Sequence, residues 1–348
     1  MVEPAHWWRP GSWLSLVLAP LGWVYGLFAA ARLRKPGVDV GIPVICVGNY
    51  HIGGAGKTPT AIALVEILTG AGERPFVLSR GYGGANAGPL LVDASRHTAS
   101  DVGDEPLLLA AVAPVVVSRD RAAGARLASQ RGATVVVMDD GFQNPSLNKH
   151  LALIVIDGTR GIGNGAVFPA GPLRAPLPIQ VDRTAVLVIV GDGSAADRIA
   201  EAVASRGGLV LRARFEADKA SVNALRGRPV LAFAGIGDPE RFFGTLRTNG
   251  IVVAATRSFP DHHRYRDNEL AALATDAQRD GLTLVTTTKD LVRLRAAGGN
   301  RTIDTVADFR VRLVVDDEAA LRERLLRALK AARQPARAAQ SEVDLLTS

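Results

Sequence analysis

Two patterns of apolar and polar positions divide the chain. Residues 12–31 are an uncharged apolar run, followed directly by Arg32, Arg34 and Lys35. All four tryptophans, Trp7, Trp8, Trp13 and Trp23, fall within the first 23 residues. A helix of about twenty residues rises about 30 Å, roughly a hydrocarbon core. Tryptophan favours the membrane interface, and the cations at the end of the run would meet anionic headgroups. Three membrane readings compete with a buried core helix. A cleaved signal peptide fits least, because the charged end follows the apolar run and no small-residue cleavage pattern is clear. A single span would place the following domain in the cytoplasm. A helix lying in the interface, or inserted into one leaflet, is favoured by the break expected at Pro20.

Beyond residue 41, short apolar runs alternate with helical stretches. Segments 43–49, 76–79, 115–118, 134–138, 151–157 and 185–190 are continuous runs rich in β-branched residues, as expected for parallel strands covered on both faces. Segments 60–70, 106–112 and 121–131 carry helical patterns between them, the βαβ rhythm of a doubly wound sheet. A second series follows, with strands expected at 209–215, 229–234, 252–258, 282–287 and 311–315. Helices are expected at 239–249 and 267–280, with a helix and linker over 192–208. Segment 318–333 is a basic helix with Leu321, Leu325 and Leu329 on one face, better suited to docking on a domain than to a membrane. The resulting plan is an α/β protein of four parts: an apolar membrane-associated helix over 1–35, a P-loop NTPase-type doubly wound parallel sheet over 36–207, a second, smaller α/β domain over 208–334, and a flexible tail over 335–348.

Composition narrows the function. A chain of 348 residues exceeds one modest core, and 47% hydrophobic against 22% charged residues belongs to a folded protein. The single cysteine, Cys46, excludes an internal disulfide framework and multi-cysteine metal sites. A net charge of +7 suits an anionic partner such as a membrane surface or phosphates, and without a long basic run nucleic acid is not expected.

The strongest motif is an apolar strand, Val44 to Gly48, leading through Asn49 to Gly53-Gly54-Ala55-Gly56-Lys57-Thr58 and a helix. Glycines let backbone N–H groups approach phosphate, and the helix points its positive end at the anion. Lys57 would reach the β- and γ-phosphates and Thr58 would place its hydroxyl on Mg²⁺. The common form has a glycine where this chain has His51. The motif indicates a nucleoside triphosphate without specifying a kinase. A second apolar strand ends in Asp139-Asp140, a Walker B arrangement that organises Mg²⁺ or its water shell. Neighbouring side chains on a strand point to opposite faces, so one of the two is expected near the metal.

Gly103-Asp104-Glu105-Pro106 opens a helix. Capping alone accounts for Asp104, and a base or metal partner near the γ-phosphate is the functional alternative. Arg80 and Tyr82, in a glycine-rich strand-end loop, are suited to an anionic substrate. In the second series, Asp261-His262-His263 lacks evident third and fourth metal ligands, leaving a proton-handling or orienting role or a plain surface loop.

Taken together these stretches resemble the tetraacyldisaccharide 4'-kinase (lipid A 4'-kinase) family. The resemblance spans roughly residues 13–295 and includes the Trp-rich segment, Gly53 to Pro59, Ser79-Arg80-Gly81-Tyr82, Gly103 to Pro106, Asp139 to Gln143, Phe168 to Arg174, Phe259 to His263 and Thr288-Lys289-Asp290. In this order they are highly specific. The resemblance implies MgATP-dependent phosphorylation of the 4'-hydroxyl of a tetraacylated glucosamine disaccharide 1-phosphate, giving lipid IVA in lipopolysaccharide synthesis at the cytoplasmic face of a bacterial inner membrane. It implies ATP and Mg²⁺ as cofactors, the lipid A precursor and anionic membrane lipids as partners, and no obligate protein partner. By the same resemblance Asp104, His262 and Lys57 are catalytic, and Gly53, Gly54, Ala55, Gly56, Lys57 and Thr58 hold nucleotide. Thr58, Asp139, Asp140 and Glu105 face the metal, and Arg80, Tyr82, Gln143 and Arg121 meet substrate. Whether His262 or His263 acts is a question of register. Ala175 stands where the family usually has glutamate. A membrane-associated P-loop ATPase or GTPase switch is the alternative, though it would not need Asp104-Glu105 or the histidine loop.

Overall fold

The computed structural model describes residues 3–54, 56–261, 263–296 and 303–334. Ala55, His262 and the tail from residue 335 lie outside the described residues. Among the described residues, thirteen strands form two sheets. In chain order they are β1 (Val44–Gly48), β2 (Pro75–Ser79), β3 (Leu90–Leu91), β4 (Val115–Val117), β5 (Val135–Asp139), β6 (Leu151–Asp157), β7 (Val186–Val190), β8 (Leu209–Ala217), β9 (Val230–Ala234), β10 (Val253–Ser258), β11 (Thr283–Thr287), β12 (Ala307–Phe309) and β13 (Val311–Val315). The large sheet has the order β13-β8-β7-β6-β1-β5-β2-β4-β3, and only its two edge pairs, β13 with β8 and β3 with β4, are antiparallel. The small sheet, β10-β9-β11-β12, is parallel throughout.

The unbroken apolar runs follow from burial on both faces. On β1 and β5, Ile45, Val47, Val135 and Val137 turn to one core with Leu64 and Leu68 of helix Lys57–Gly70. Val44, Cys46, Val136 and Met138 turn to the opposite core with Ala125 and Ala128 of helix Arg121–Gln130. That second helix starts where the Asp120 carboxylate accepts from Ala123 N at 3.0 Å, an ordinary side-chain cap. The small sheet is covered by helix Pro239–Thr248 through Phe242, Phe243 and Leu246, and by helices Asp267–Arg279 and Thr288–Ala296 through Leu270, Leu273, Leu291 and Leu294.

The sheets divide the chain differently from the boundary expected after residue 207. β8 pairs in parallel with β7, and β13 returns from the far end of the chain to pair with β8. The last helix, Glu318–Arg333, follows it and buries Leu321, Leu325 and Leu329 in the same core as Leu64. The small sheet is therefore an excursion between β8 and β13. The leucine stripe of the last helix docks on the protein, as its spacing indicated.

The apolar run is a continuous helix, Trp13–Arg34, through Pro20. The expected break is absent. Twenty-two residues at 1.5 Å each give a length of about 33 Å. Its only buried stripe is Gly22, Gly26, Ala30 and Leu33. A side chain at Gly22 would meet the Val167 carbonyl oxygen at 2.7 Å, so only glycine lets the helix lie this close to the 167–176 segment. The opposite face leaves Trp13, Leu16, Trp23 and Phe28 between 68% and 74% exposed. Ahead of the helix, Trp7 is buried and donates from Nε1 to the Pro169 carbonyl at 3.0 Å.

Candidate active site

β1 ends beside β5, with Val47 opposite Asp139 in the parallel register. That pairing sets the phosphate loop against the acidic strand end. Gly56, at φ +86°, caps helix Lys57–Gly70 in a left-handed conformation that a side chain would strain. Lys57 Nζ donates to the Gly53 carbonyl at 3.3 Å and lies 3.7 Å from Asp140 Oδ1. The lysine thus bridges the loop to the acidic pair. Gly54 is exposed, and Thr58 stands half-buried in the first turn.

The aspartates diverge by a sharper device than strand alternation. Asp139 is the last residue of β5 and Asp140 takes φ +46°, which swings the second carboxylate round. Asp140 faces Lys57 and Arg174. Arg174 donates to it from both terminal nitrogens, at 2.8 and 3.3 Å. Burial would raise the Asp140 pKa, but Lys57 and Arg174 outweigh it and hold it below the usual carboxylate range. Asp139 is buried, and its Oδ1 is an orphan with no hydrogen-bond partner. Burial, then the charges of Glu105 and Asp140, push its pKa up to about 7. A buried carboxylate oxygen without a partner, aimed beside a phosphate loop, fits a cation that arrives with nucleotide. Among the described residues no three His, Cys, Asp or Glu side chains form a closed metal cage. Magnesium does not need one, because it is usually held by one or two carboxylates together with phosphate oxygens and waters.

The other predicted residues fall around two cavities. The first, about 420 Å³, is lined by Tyr25, Phe28, Ala29 and Arg32 of the N-terminal helix, by Ile52, and by Arg80, Arg121, Asp140, Gln143, Asn144 and Arg174. Arg121 is buried and donates to the carbonyls of Ser118 and Asp139 at 3.3 and 3.4 Å. Gln143 is tied to the Asn49 carbonyl at 2.8 Å, so it braces the loop after β1. The second cavity, about 270 Å³, gathers Tyr82, Gly103, Asp104, His263, Tyr265 and Arg293. Arg80 and Tyr82 lie on one loop, so it contributes to both cavities.

Asp104 is buried at the start of helix Asp104–Ala110, where its Oδ1 accepts from Glu105 N at 3.1 Å and its Oδ2 from Arg293 Nε at 2.6 Å. Glu105 faces Lys289 at 3.3 Å. His263 pairs with Glu269 at 2.9 Å and stacks on Phe259. Of the two neighbouring histidines it is the one described, and it is turned to its own helix cap.

Two sequence departures have structural consequences. His51 is buried, with Nδ1 3.0 Å from the Ile52 carbonyl and its ring edge-on to Trp8. Burial pushes its pKa down to about 4. Arg160 lies over the Trp8 ring at 3.8 Å and pairs with Glu3, so the residues ahead of the N-terminal helix pack on the phosphate loop. Ala175 is fully buried, and its carbonyl accepts from Gln180 Nε2 at 2.8 Å. No carboxylate stands at that position. Arg174 and Arg293 were missed as site residues, although the stretches ending in Arg174 and in Asp290 belonged to the resemblance.

Comparison with known proteins gives the same direction throughout. The family model described as Tetraacyldisaccharide-1-P 4'-kinase (LpxK) matches residues 14–330. The chain is 61% identical over 333 residues to the tetraacyldisaccharide 4'-kinase of Rhodopseudomonas palustris strain BisB5, covering 96% of this chain and 98% of that one. It is 60% identical over 335 residues to the enzyme of the same name from Nitrobacter hamburgensis, covering 96% and 100%. The crystal structure of LpxK from Aquifex aeolicus in complex with ATP superposes with a TM-score of 0.72 at 27% identity, covering 91% of this chain and 99% of that chain. A match over this length, with the phosphate loop and its acidic partners in place, makes the chain a member of the tetraacyldisaccharide-1-phosphate 4'-kinase family.

Proposed function

We infer that this kinase transfers the γ-phosphoryl group of ATP to the 4'-hydroxyl of a tetraacylated glucosamine disaccharide 1-phosphate at a membrane surface. The observation that carries the lipid acceptor is the first cavity. It runs from Tyr25 and Phe28 of the apolar helix, past Arg32, Arg80, Arg121 and Arg174, to Asp140 beside Lys57. One wall suits acyl chains, and the arginines suit the anionic group of the acceptor. A nucleotide switch without an acceptor has no use for such a path.

Lys57 and the amides of residues 53–58 hold the β- and γ-phosphates. Asp140, kept ionised and fixed by Arg174, orients Lys57. Asp139, Thr58 and Glu105 are the residues that would hold Mg²⁺. When bound, the ion would neutralise charge on the phosphate oxygens. Asp104 accepts a hydrogen bond from the sugar hydroxyl and aligns it. Alignment matters more than basicity here, because the hydroxyl proton leaves late in a loose phosphoryl transfer. His262, outside the described residues, is retained as the proposed partner of Asp104.

The length and exposed apolar face of helix Trp13–Arg34 support a site at the bilayer. Each buried CH₂ is worth about 0.8 kcal/mol, so withdrawing acyl chains fully into water would be prohibitive. The helix seats its small-residue stripe on the protein, and that docking supports a helix lying in the interface of the cytoplasmic leaflet. Arg32, Arg34 and Lys35 would meet anionic lipids there. The test is transfer of radiolabel from ATP to the tetraacyldisaccharide 1-phosphate in phospholipid–detergent micelles, with phosphate release measured in parallel. Labelled glycolipid is expected. Phosphate release with no labelled glycolipid would overturn the reading.

A further inference from the structure

The Thr288-Lys289-Asp290 stretch has no part in the chemistry described so far, yet it opens a helix that reaches across to the large sheet. Lys289 and Arg293 are four residues apart, hence on one helical face. They meet consecutive carboxylates: Lys289 Nζ lies 3.3 Å from Glu105 Oε1, and Arg293 Nε donates to Asp104 Oδ2 at 2.6 Å. Arg293 is itself fixed. Its Nη1 donates to the Gly235 carbonyl at 2.7 Å and to Asp290 Oδ1 at 2.8 Å. Asp290 is fully buried, and its Oδ2 accepts from Gly235 N at 3.1 Å and from the Thr287 hydroxyl at 2.8 Å. Asp104 and Arg293 are 9% and 8% exposed. The result is a buried chain, Thr287–Asp290–Arg293–Asp104, that begins at the end of β11 and finishes on the wall of the second cavity.

We propose that Arg293 is the positioning residue for Asp104, with Asp290 holding Arg293 in place. The inference rests on the acceptor role proposed above for Asp104 and extends it. A buried carboxylate left to itself can rotate or take up a proton. One gripped by a guanidinium that is pinned on its other side keeps one orientation. Asp104 thereby meets an acceptor hydroxyl from a fixed place. The device makes alignment of the acceptor depend on the small sheet being seated on the large one.

The experiment is a double-mutant cycle on the full chain in mixed micelles, with Asp104→Ala, Arg293→Ala and the double variant, plus Arg293→Lys and Asp290→Asn. Transfer to tetraacyldisaccharide 1-phosphate, KM for ATP and thermal midpoint are read for each. Arg293→Ala is expected to lower kcat about 30-fold, within the range seen when a partner that orients a site residue is removed. KM for ATP is expected to stay within about twofold, because ground-state nucleotide binding does not use this contact. The double variant is expected to be no slower than Asp104→Ala, because Arg293 acts only through that carboxylate. Arg293→Lys should recover part of the rate, since it keeps the charge and loses the fork, and Asp290→Asn should lie between Arg293→Lys and wild type. A double variant slowed by the product of the two single losses would overturn the proposal. So would an Arg293→Ala variant whose KM for ATP rises as its thermal midpoint falls, which marks a structural clasp. Wild-type transfer by Asp104→Ala would instead remove the acceptor role of Asp104 and this inference with it.

Discussion

Arg174 grips Asp140 through both terminal nitrogens, at 2.8 and 3.3 Å, while its Nε donates to the His51 carbonyl at 3.1 Å. One side chain thus fixes the acidic pair and the phosphate loop to each other. Arg174→Ala should release Asp140 to swing onto Lys57 and lower kcat by about 10- to 100-fold, the usual cost of losing a partner that orients a site carboxylate. Arg174→Lys should recover little, because an ammonium cannot make the planar two-nitrogen contact. Steady-state transfer rates across the three proteins check this. A lysine variant at wild-type rate would show that charge alone suffices.

Lys57 contacts both the Gly53 carbonyl of the phosphate loop and Asp140, from the loop's own side. Lys57→Ala should cut transfer at least about 100-fold, the order expected when a phosphate-neutralising donor is removed from a reacting centre. The side chain belongs to neither hydrophobic core, so circular dichroism and the thermal midpoint should stay close to wild type. Turnover near wild type would refute the phosphate-loop role.

His51 gives a pH signature to the fold. Burial pushes its pKa down to about 4, against about 6.5 when exposed. The folded state therefore disfavours the imidazolium, and the sign follows: stability is unaffected above about pH 6.5, falls as pH drops towards 4 and levels off below that. The loss should amount to about 2–3 kcal/mol by pH 4.5, from the linkage between the two pKa values. His51→Gln removes the titrating group. Its unfolding free energy by urea denaturation should fall less steeply than that of wild type between pH 7 and pH 4.5. Parallel profiles would show that His51 titrates normally.

The sequence and the structure agree most where one local signal decides the outcome. Residues 44–48 are buried on both sides, and the glycines that follow leave little choice but a strand feeding a phosphate loop. The Asp139-Asp140 strand end is legible for the same reason. Other features depend on distant partners. Arg174 reaches Asp140 across 34 positions and Arg293 reaches Asp104 across 189, and an isolated arginine carries no mark of the carboxylate it will meet. β13 reads as a strand, but its return to β8 rests on an antiparallel register that no local pattern encodes. Pro20 reads as a helix break, yet it lies within a continuous helix whose Gly22, Gly26 and Ala30 are held against the 167–176 segment.

That helix allows membrane engagement to be separated from folding. Truncation before residue 36 would be a poor test, because it also removes buried Trp7 and the Glu3 and Trp8 contacts that pack on the phosphate loop. The exposed face offers a cleaner one. Leu16, Val17 and Leu21 are 71%, 64% and 60% exposed, take no part in the docked stripe and line neither cavity. Each apolar side chain moved from water into lipid contributes about 1.5–3 kcal/mol. Replacing all three with serine should weaken binding to anionic phospholipid vesicles by at least about 100-fold on that scale. Transfer to vesicle-borne acceptor should fall in parallel, while KM for ATP and the thermal midpoint stay near wild type. Gly22→Leu perturbs the other face, where the new side chain would collide with the Val167 carbonyl. It should therefore lower the thermal midpoint as well as transfer. Vesicle flotation, calorimetry and transfer assays on the two variants separate the faces. If the triple serine variant floats with vesicles as wild type does, the membrane role of this face is wrong.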